Sequence, residues 1–120
     1  RDVQWGFYYI ELPGTHGATG TLIGAGGFKG APDADGIVEI GYSVLPDFQR
    51  KGYALEAVNG WVKFAFAQPK VQMICAHTLA NGAPSIGVLK KAGFRPVGRG
   101  HDPGAPAGHD VLRFELARQR

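Results

Sequence analysis

The residues best suited to chemistry lie where a predicted strand gives way to a predicted helix, in the segment Gln49–Ala54 (QRKGYA). The first turn of a helix carries unpaired backbone N–H groups and the positive end of the helix dipole, which both attract phosphate oxygens. Gly52 lets a ligand approach the backbone closely, and Ala54 keeps the inside of the turn open. Arg50 and Lys51 add positive charge. The segment predicts a phosphate-binding turn, while an ordinary strand-to-helix turn with solvated cations has the same composition.

Two widespread nucleotide motifs do not match this turn. The phosphate loop of nucleotide hydrolases ends in Gly-Lys-Ser/Thr, and the dinucleotide fingerprint requires Gly-x-Gly-x-x-Gly. Neither pattern is present at Gln49–Ala54. The anion that this turn suits therefore belongs to another class of ligand.

The elements around the turn follow from hydrophobic periodicity. Short connections join the first three apolar runs, which predicts an antiparallel meander, and the strand–helix–strand unit after them predicts a parallel crossover. We therefore expect a single α+β domain with a mixed sheet. The predicted strands are Val3–Leu12, Thr21–Phe28, Ile37–Leu45, Val71–Leu79, Arg95–Gly100 and Val111–Leu116, and the predicted helices are Tyr53–Gln68 and Asn81–Ala92.

Composition narrows the class of protein. The 120 residues fit one domain, and the net charge of +3 suits an anionic small molecule better than nucleic acid, because the aromatic and basic signature of nucleic-acid binding is missing. Cys75 is the single cysteine, so we expect a buried thiol, no metal site built on thiolates and a cytoplasmic location. No apolar run approaches the ~18 residues of a membrane span, so no membrane partner is expected.

Two segments at a characteristic separation carry a resemblance to a known family. VEIGYSVLPDFQRKGYALEAV contains Gln-x-x-Gly-x-Ala after a strand that ends Val-x-Pro, and NGAPSIGVLKKAGF fits Asn-x-x-x-Ser-x-x-x-Leu-x-Lys-x-Gly-Phe. Together they resemble the GNAT superfamily of N-acetyltransferases, in the branch that includes ribosomal-protein N-terminal acetyltransferases and related small-molecule acetyltransferases. The resemblance implies a mostly antiparallel mixed sheet with a central parallel pair, acetyl-CoA as cosubstrate and a primary amine as acceptor.

The resemblance also assigns cofactor-binding residues. In the family the turn amides bind the CoA pyrophosphate, and the preceding strand diverges from its parallel neighbour so that the pantetheine arm lies between them. A main-chain N–H of that strand would polarise the thioester carbonyl. The residues implied are Gln49, Arg50, Lys51, Gly52, Tyr53 and Ala54 for pyrophosphate, the main chain of Ser43, Val44 and Leu45 for pantetheine, and Asn81 near the pantetheine arm.

Direct attack of an amine on an acetyl thioester needs a base for the amine and an acid for the leaving thiolate. Glu39 is the best candidate base, because it shares a strand face with Gly41 and Ser43, although a Glu on a solvated face has the same pattern. His77 is a second candidate, or a structural histidine. Ser85 either reaches the cofactor sulfur or occupies the first turn of its helix.

Two departures from the family pattern favour an alternative, a degenerate module that binds acetyl-CoA without turnover. Leu89 occupies the position where many members carry a tyrosine that acts as the general acid. Tyr42, Ser85 or water would then have to protonate the leaving thiolate. The chain also begins with Arg1, near the strand that follows the family's first helices, so we expect an N-terminally truncated domain within residues 1–120. Val3–Leu12 is apolar on both faces, which predicts an uncovered patch and a two-fold homodimer.

Overall fold

The computed structural model describes residues 5–12, 20–101, 108 and 110–119, and all structural statements below concern these residues. Strands and helices follow one another in the order that the periodicity predicts. The strands are β1 (Phe7–Leu12), β2 (Thr21–Phe28), β3 (Ile37–Val44), β4 (Met73–Leu79), β5 (Arg95–Arg99) and β6 (Val111–Ala117), and the helices are α1 (Tyr53–Phe66) and α2 (Ala83–Lys91), with a 3₁₀ turn at Pro46–Phe48.

The strands form one mixed sheet in the order β1-β2-β3-β4-β6-β5. β3 and β4 are parallel, and the other neighbouring pairs are antiparallel. The α+β fold, the meander and the parallel central pair are therefore confirmed. The parallel pair exists because α1 carries the chain back to the starting edge of β3 before β4 begins.

Element ends differ from the sequence prediction by a few residues. α1 ends at Phe66, where Gln68 was predicted, and β4 begins at Met73 instead of Val71. The carbonyls at this junction are bound by Arg118, which donates to Phe66, Gln68 and Val71 at 2.8–3.0 Å. A residue distant in sequence thus closes the end of α1, and periodicity alone does not reveal it. Residues 13–19 between β1 and β2, and residues 102–107 and 109 between β5 and β6, lie outside the described residues.

One face of the sheet carries the core. α1 and α2 both pack on it, and Trp61 of α1 lies so close to Gly26 of β2 that a methyl group there would overlap its ring. This contact explains a glycine within the strand, as the sequence suggested. The buried core residues are Phe28, Val38, Ile40, Val58, Ala65, Val71, Ile74, Ala76, Leu89, Phe94 and Phe114.

β3 and β4 separate at their carboxyl ends. Their paired residues run only from Ile37–Met73 to Ile40–Ala76, although β3 continues to Val44 and β4 to Leu79. β3 remains paired with β2 as far as Val44, so the strands part on the β4 side alone. The gap lies directly before the Gln49–Ala54 turn, in the position that the family resemblance implies.

The first strand is partly covered. Trp5 packs edge-on against Phe28 and Phe64 on the core face, with ring centroids 4.9 and 5.4 Å apart. Phe7 and Tyr9 are 52% and 76% exposed. The described part of β1 thus has the exposed aromatic surface that the sequence predicted, and self-association through it stays a prediction.

Candidate functional site

The Gln49–Ala54 turn presents a series of unpaired backbone donors. The N–H of Gln49 binds the carbonyl of Pro46 at 3.3 Å, and the next paired N–H is that of Glu56, which binds Gly52 at 3.0 Å. Between them, the N–H groups of residues 50–55 have no partner in the described chain. Such consecutive donors at a helix start form an anion-binding concavity.

Two left-handed residues shape this turn. Gly52, the N-cap of α1, has φ 87°, and Arg50 has φ 62°. A left-handed conformation is costly for arginine, by roughly 1–2 kcal/mol, so the fold must impose it here. A Cβ on Gly52 would have no protein atom within 4 Å, so the space beside its Cα is open to a ligand.

A groove of about 280 Å³ runs from this turn along one side of α2. The α2 residues that border it recur at helical spacing and therefore share one face. Six of the predicted site residues line the groove: Val44, Gln49, Arg50, Gly52, Ala54 and Ser85. The predicted residues Ser43, Leu45, Lys51, Tyr53 and Asn81 do not line it.

The β3 backbone divides its hydrogen bonds between two sides. The N–H of Leu45 donates to Ile23 of β2 at 2.7 Å, and the carbonyl of Ser43 also points toward β2, where a methyl group on Gly24 would overlap it. Because backbone groups alternate along a strand, those of Tyr42 and Val44 face the gap instead. Of the predicted main-chain groups of Ser43, Val44 and Leu45, only those of Val44 therefore face the gap, and those of Tyr42 face it as well. The groups of Ser43 and Leu45 are directed at β2.

The side chain of Gln49 fixes the turn to the end of β3. Its Nε2 donates to the carbonyl of Val44 at 2.9 Å. This bond holds the Gln49–Ala54 turn beside the gap, so the strand end and the helix start keep a constant distance. Gln49 thus has a structural role in addition to the position that the motif assigns to it.

Glu39 lies on the opposite face of the sheet from the groove. Its neighbours Val38 and Ile40 point into the core, whereas Glu39 is 28% exposed and borders a second cavity of about 320 Å³. Its carboxylate contacts His77 Nδ1 at 2.8 Å and Lys29 Nζ at 3.3 Å. Glu39 lies one residue before Ile40, the last β3 residue paired with β4, so it is near the start of the gap on this face.

The position of a proton donor differs from the family pattern. Leu89 is 1% exposed in the core, so it offers no acid. Tyr42 lines the groove and donates its hydroxyl to the carbonyl of Ser85 at 3.3 Å. Burial raises the pKa of Tyr42 to about 12, and the bond to Ser85 opposes this shift. A raised pKa makes Tyr42 a weaker acid than an ordinary tyrosine, which disfavours it as the donor to a thiolate.

Seven groove residues were not among the predicted site residues, and two of them, Lys91 and Tyr42, carry polar groups. Lys91 lines the groove from α2. In sequence it is a lysine in the last turn of a helix, which interaction with the helix dipole already explains. Tyr42 was considered only as an acid, although its position after Gly41 in the divergent strand could have indicated its backbone role.

The remaining ionisable groups give no metal site. In the described ranges, no cluster of three His, Cys, Asp or Glu side chains has the arrangement of a metal centre. Cys75 is 3% exposed, and burial raises the pKa of its thiol to about 11, so it is neutral at physiological pH. Neither described helix has the length and apolarity needed to span a bilayer.

Comparison with known proteins identifies relatives of one family. The chain is 34% identical over 73 residues to the uncharacterised N-acetyltransferase YjdG of Bacillus subtilis (strain 168), a match that covers 61% of this chain and 44% of YjdG. The chain spans about half the length of the curated relatives it matches.

Solved structures share the fold. The ribosomal-protein-S5-alanine acetyltransferase of Vibrio fischeri superimposes with a TM-score of 0.71 at 22% identity, over 81% of this chain and 55% of that one. The microcin C7 self-immunity acetyltransferase MccE, solved in complex with acetyl-CoA and AMP, superimposes with a TM-score of 0.72 at 18% identity, over 82% and 56%.

A family-wide sequence model described as an acetyltransferase (GNAT) domain matches residues 1–95. That range contains the phosphate-binding turn, the divergent strands and all of α2. The chain therefore belongs to the GNAT acetyltransferase family.

Proposed function

We propose that this domain binds acetyl-CoA and transfers its acetyl group to a primary amine, either a protein N-terminus or a small-molecule amine. The observation that carries the proposal is the row of unpaired N–H groups at residues 50–55, placed beside the gap between β3 and β4. The acetyl-CoA bound to the similarly folded MccE supports the choice of cosubstrate.

Different residues of the groove and the gap bind different parts of the cosubstrate. The amides of residues 50–55 receive the pyrophosphate, and Arg50 and Lys91 supply positive charge from the two sides of the groove. The backbone of Tyr42 and Val44 offers hydrogen bonds to the pantetheine arm in the gap. One N–H there polarises the thioester carbonyl and stabilises the negative charge that develops on its oxygen.

Transfer forms one bond and breaks two. The amine nitrogen attacks the thioester carbonyl carbon to form the C–N bond of the amide, the C–S bond breaks to release the CoA thiolate, and one N–H bond of the amine breaks. Glu39, directly or through water, takes the proton that the amine loses. The CoA thiolate accepts a proton from solvent, since Tyr42 has a raised pKa and Leu89 has no proton to give.

The second candidate function is binding of acetyl-CoA without turnover. It is favoured by Leu89, which occupies the core at the position of the family's tyrosine acid. In that case the groove would bind CoA and the carboxylate of Glu39 would serve only to stabilise the exposed sheet face.

Two measurements on the whole chain separate these functions. Calorimetry with CoA tests the groove, and mass spectrometry after incubation with acetyl-CoA and an amine panel tests transfer. The panel contains a short peptide with a free N-terminus and small aliphatic primary amines, each compared with its N-methylated form. Saturable CoA binding with acetylated amine supports the enzyme, CoA binding without product supports the module, and absence of CoA binding contradicts both.

A further inference from the structure

On the sheet face opposite the groove, the Glu39 carboxylate contacts two donors through one of its oxygens. His77 Nδ1 and Lys29 Nζ contact the same atom, Glu39 Oε2, at 2.8 and 3.3 Å. An ionised carboxylate only accepts hydrogen bonds, so His77 Nδ1 must carry the proton in this contact.

His77 is held at the point where the strands separate. The last paired residues of β3 and β4 are Ile40 and Ala76, so His77 is the first β4 residue beyond the pairing. Its side chain is 7% exposed. A methyl group on Gly100 would overlap the ring, so the ring lies directly against the Gly100 backbone and has little freedom to turn.

The backbone around Glu39 is fixed as well. Lys29 donates its main-chain N–H to the Glu39 carbonyl at 2.8 Å, in addition to the ion pair between their side chains. With one oxygen held by two donors, the carboxylate plane has a restricted orientation.

We propose that His77 is a positioning residue for acetyl transfer: it binds Glu39 Oε2 through Nδ1–H and so holds the Glu39 carboxylate in one orientation as the proton acceptor. This inference rests on the proposed function of Glu39. It assigns His77 no proton transfer of its own, because its Nδ1 proton is already engaged by the carboxylate.

The other charged groups on this face leave that interaction in place. Arg113 donates to Glu115 at 2.9 Å, and its positive charge also attracts the Glu39 carboxylate, since both residues line the second cavity. The Cys75 thiol is neutral near pH 7, because burial raises its pKa to about 11. Asp33 accepts the backbone N–H groups of residues 35 and 37, which holds its carboxylate in its own turn.

The test compares His77→Leu with His77→Asn, because the Asn side-chain N–H group replaces Nδ1–H at the same distance from the backbone. Using whichever panel amine the wild-type chain acetylates, we expect kcat about tenfold lower for His77→Leu than for His77→Asn, since a hydrogen bond to a charged group is lost. We expect the KM for acetyl-CoA to remain unchanged. The pH profile of kcat/KM should differ between the two variants, because only His77→Asn keeps a hydrogen-bond donor on the Glu39 carboxylate.

A measurement without turnover checks the contact itself. The ¹⁵N spectrum of the imidazole groups should show a proton on His77 Nδ1 in the wild-type chain. The His77 signal is identified by its loss in His77→Asn, and it should be altered in Glu39→Ala. An unprotonated Nδ1 overturns the inference, and so do equal rates and equal pH profiles in the two His77 variants. If Glu39→Gln still has a lowered kcat, those results leave the proposed function intact. A wild-type chain that binds CoA and acetylates no amine overturns the enzymatic proposal, and the positioning role with it.

Discussion

Replacement of Gly52 by alanine tests the phosphate-binding turn most directly. Gly52 has φ 87°, and its would-be Cβ meets no protein atom within 4 Å. The substitution therefore has two separable effects. The left-handed backbone should cost about 1 kcal/mol of unfolding free energy, while no steric clash within the protein adds to it.

The effect on ligand binding should be larger. The new methyl group would project into the space beside the unpaired N–H groups of residues 50–55, where the phosphates approach. Displacing a phosphate from one such donor removes a hydrogen bond to a charged group, which corresponds to about a 10- to 100-fold increase in the Kd for CoA.

Gly60→Ala is the matched control. Gly60 lies within α1, where a Cβ would also meet no atom within 4 Å, and it does not border the groove. Alanine there should raise helix stability by about 1 kcal/mol and leave CoA affinity unchanged. Calorimetry gives the affinities and urea denaturation the stabilities. A folded Gly52→Ala chain that binds CoA as tightly as Gly60→Ala would refute the assignment of the turn.

Three further substitutions test the candidate base Glu39, the groove residue Lys91 and the buried Tyr42. Glu39→Gln should lower kcat by about 10²-fold near neutral pH with CoA affinity nearly intact, and unchanged rates across the pH range would remove Glu39 from the mechanism. Lys91→Met should weaken CoA binding about tenfold, as measured by calorimetry, because a charge-assisted contact is lost. Lys90→Met, which lies outside the groove, should leave the affinity unchanged, and equal effects of the two substitutions would contradict the role of Lys91. Tyr42 has its pKa raised from 10.0 to about 12, so its neutral form contributes stability that is complete below pH 10 and decreases as pH rises toward 12. Urea denaturation should show Tyr42→Phe losing less stability than the wild-type chain over that range, and identical losses would show that Tyr42 titrates normally.

Local sequence determined the elements and the turn. β2 has the predicted bounds Thr21–Phe28, because the alternation of strand residues and the flanking glycines are local signals. Gly93 ends α2 with φ 100°, and the N–H of Phe94 binds Leu89 at 2.9 Å, as a Gly-Phe pair after a helix predicts. The spacing of Gly52 and Ala54 at a helix start likewise indicated the phosphate-binding turn, since its donors belong to consecutive residues.

Tertiary structure alone decided which groups face one another. Glu39 and His77 are 38 positions apart in the sequence, and the hydrogen bond between them depends on the register of β3 against β4. The exclusion of the Leu45 amide from the gap depends on its bond to Ile23 of β2, and the place of Lys91 in the groove depends on how α2 lies against the turn. Sequence patterns report periodicity along one segment, whereas register and helix orientation arise from the packing of several segments around a common core.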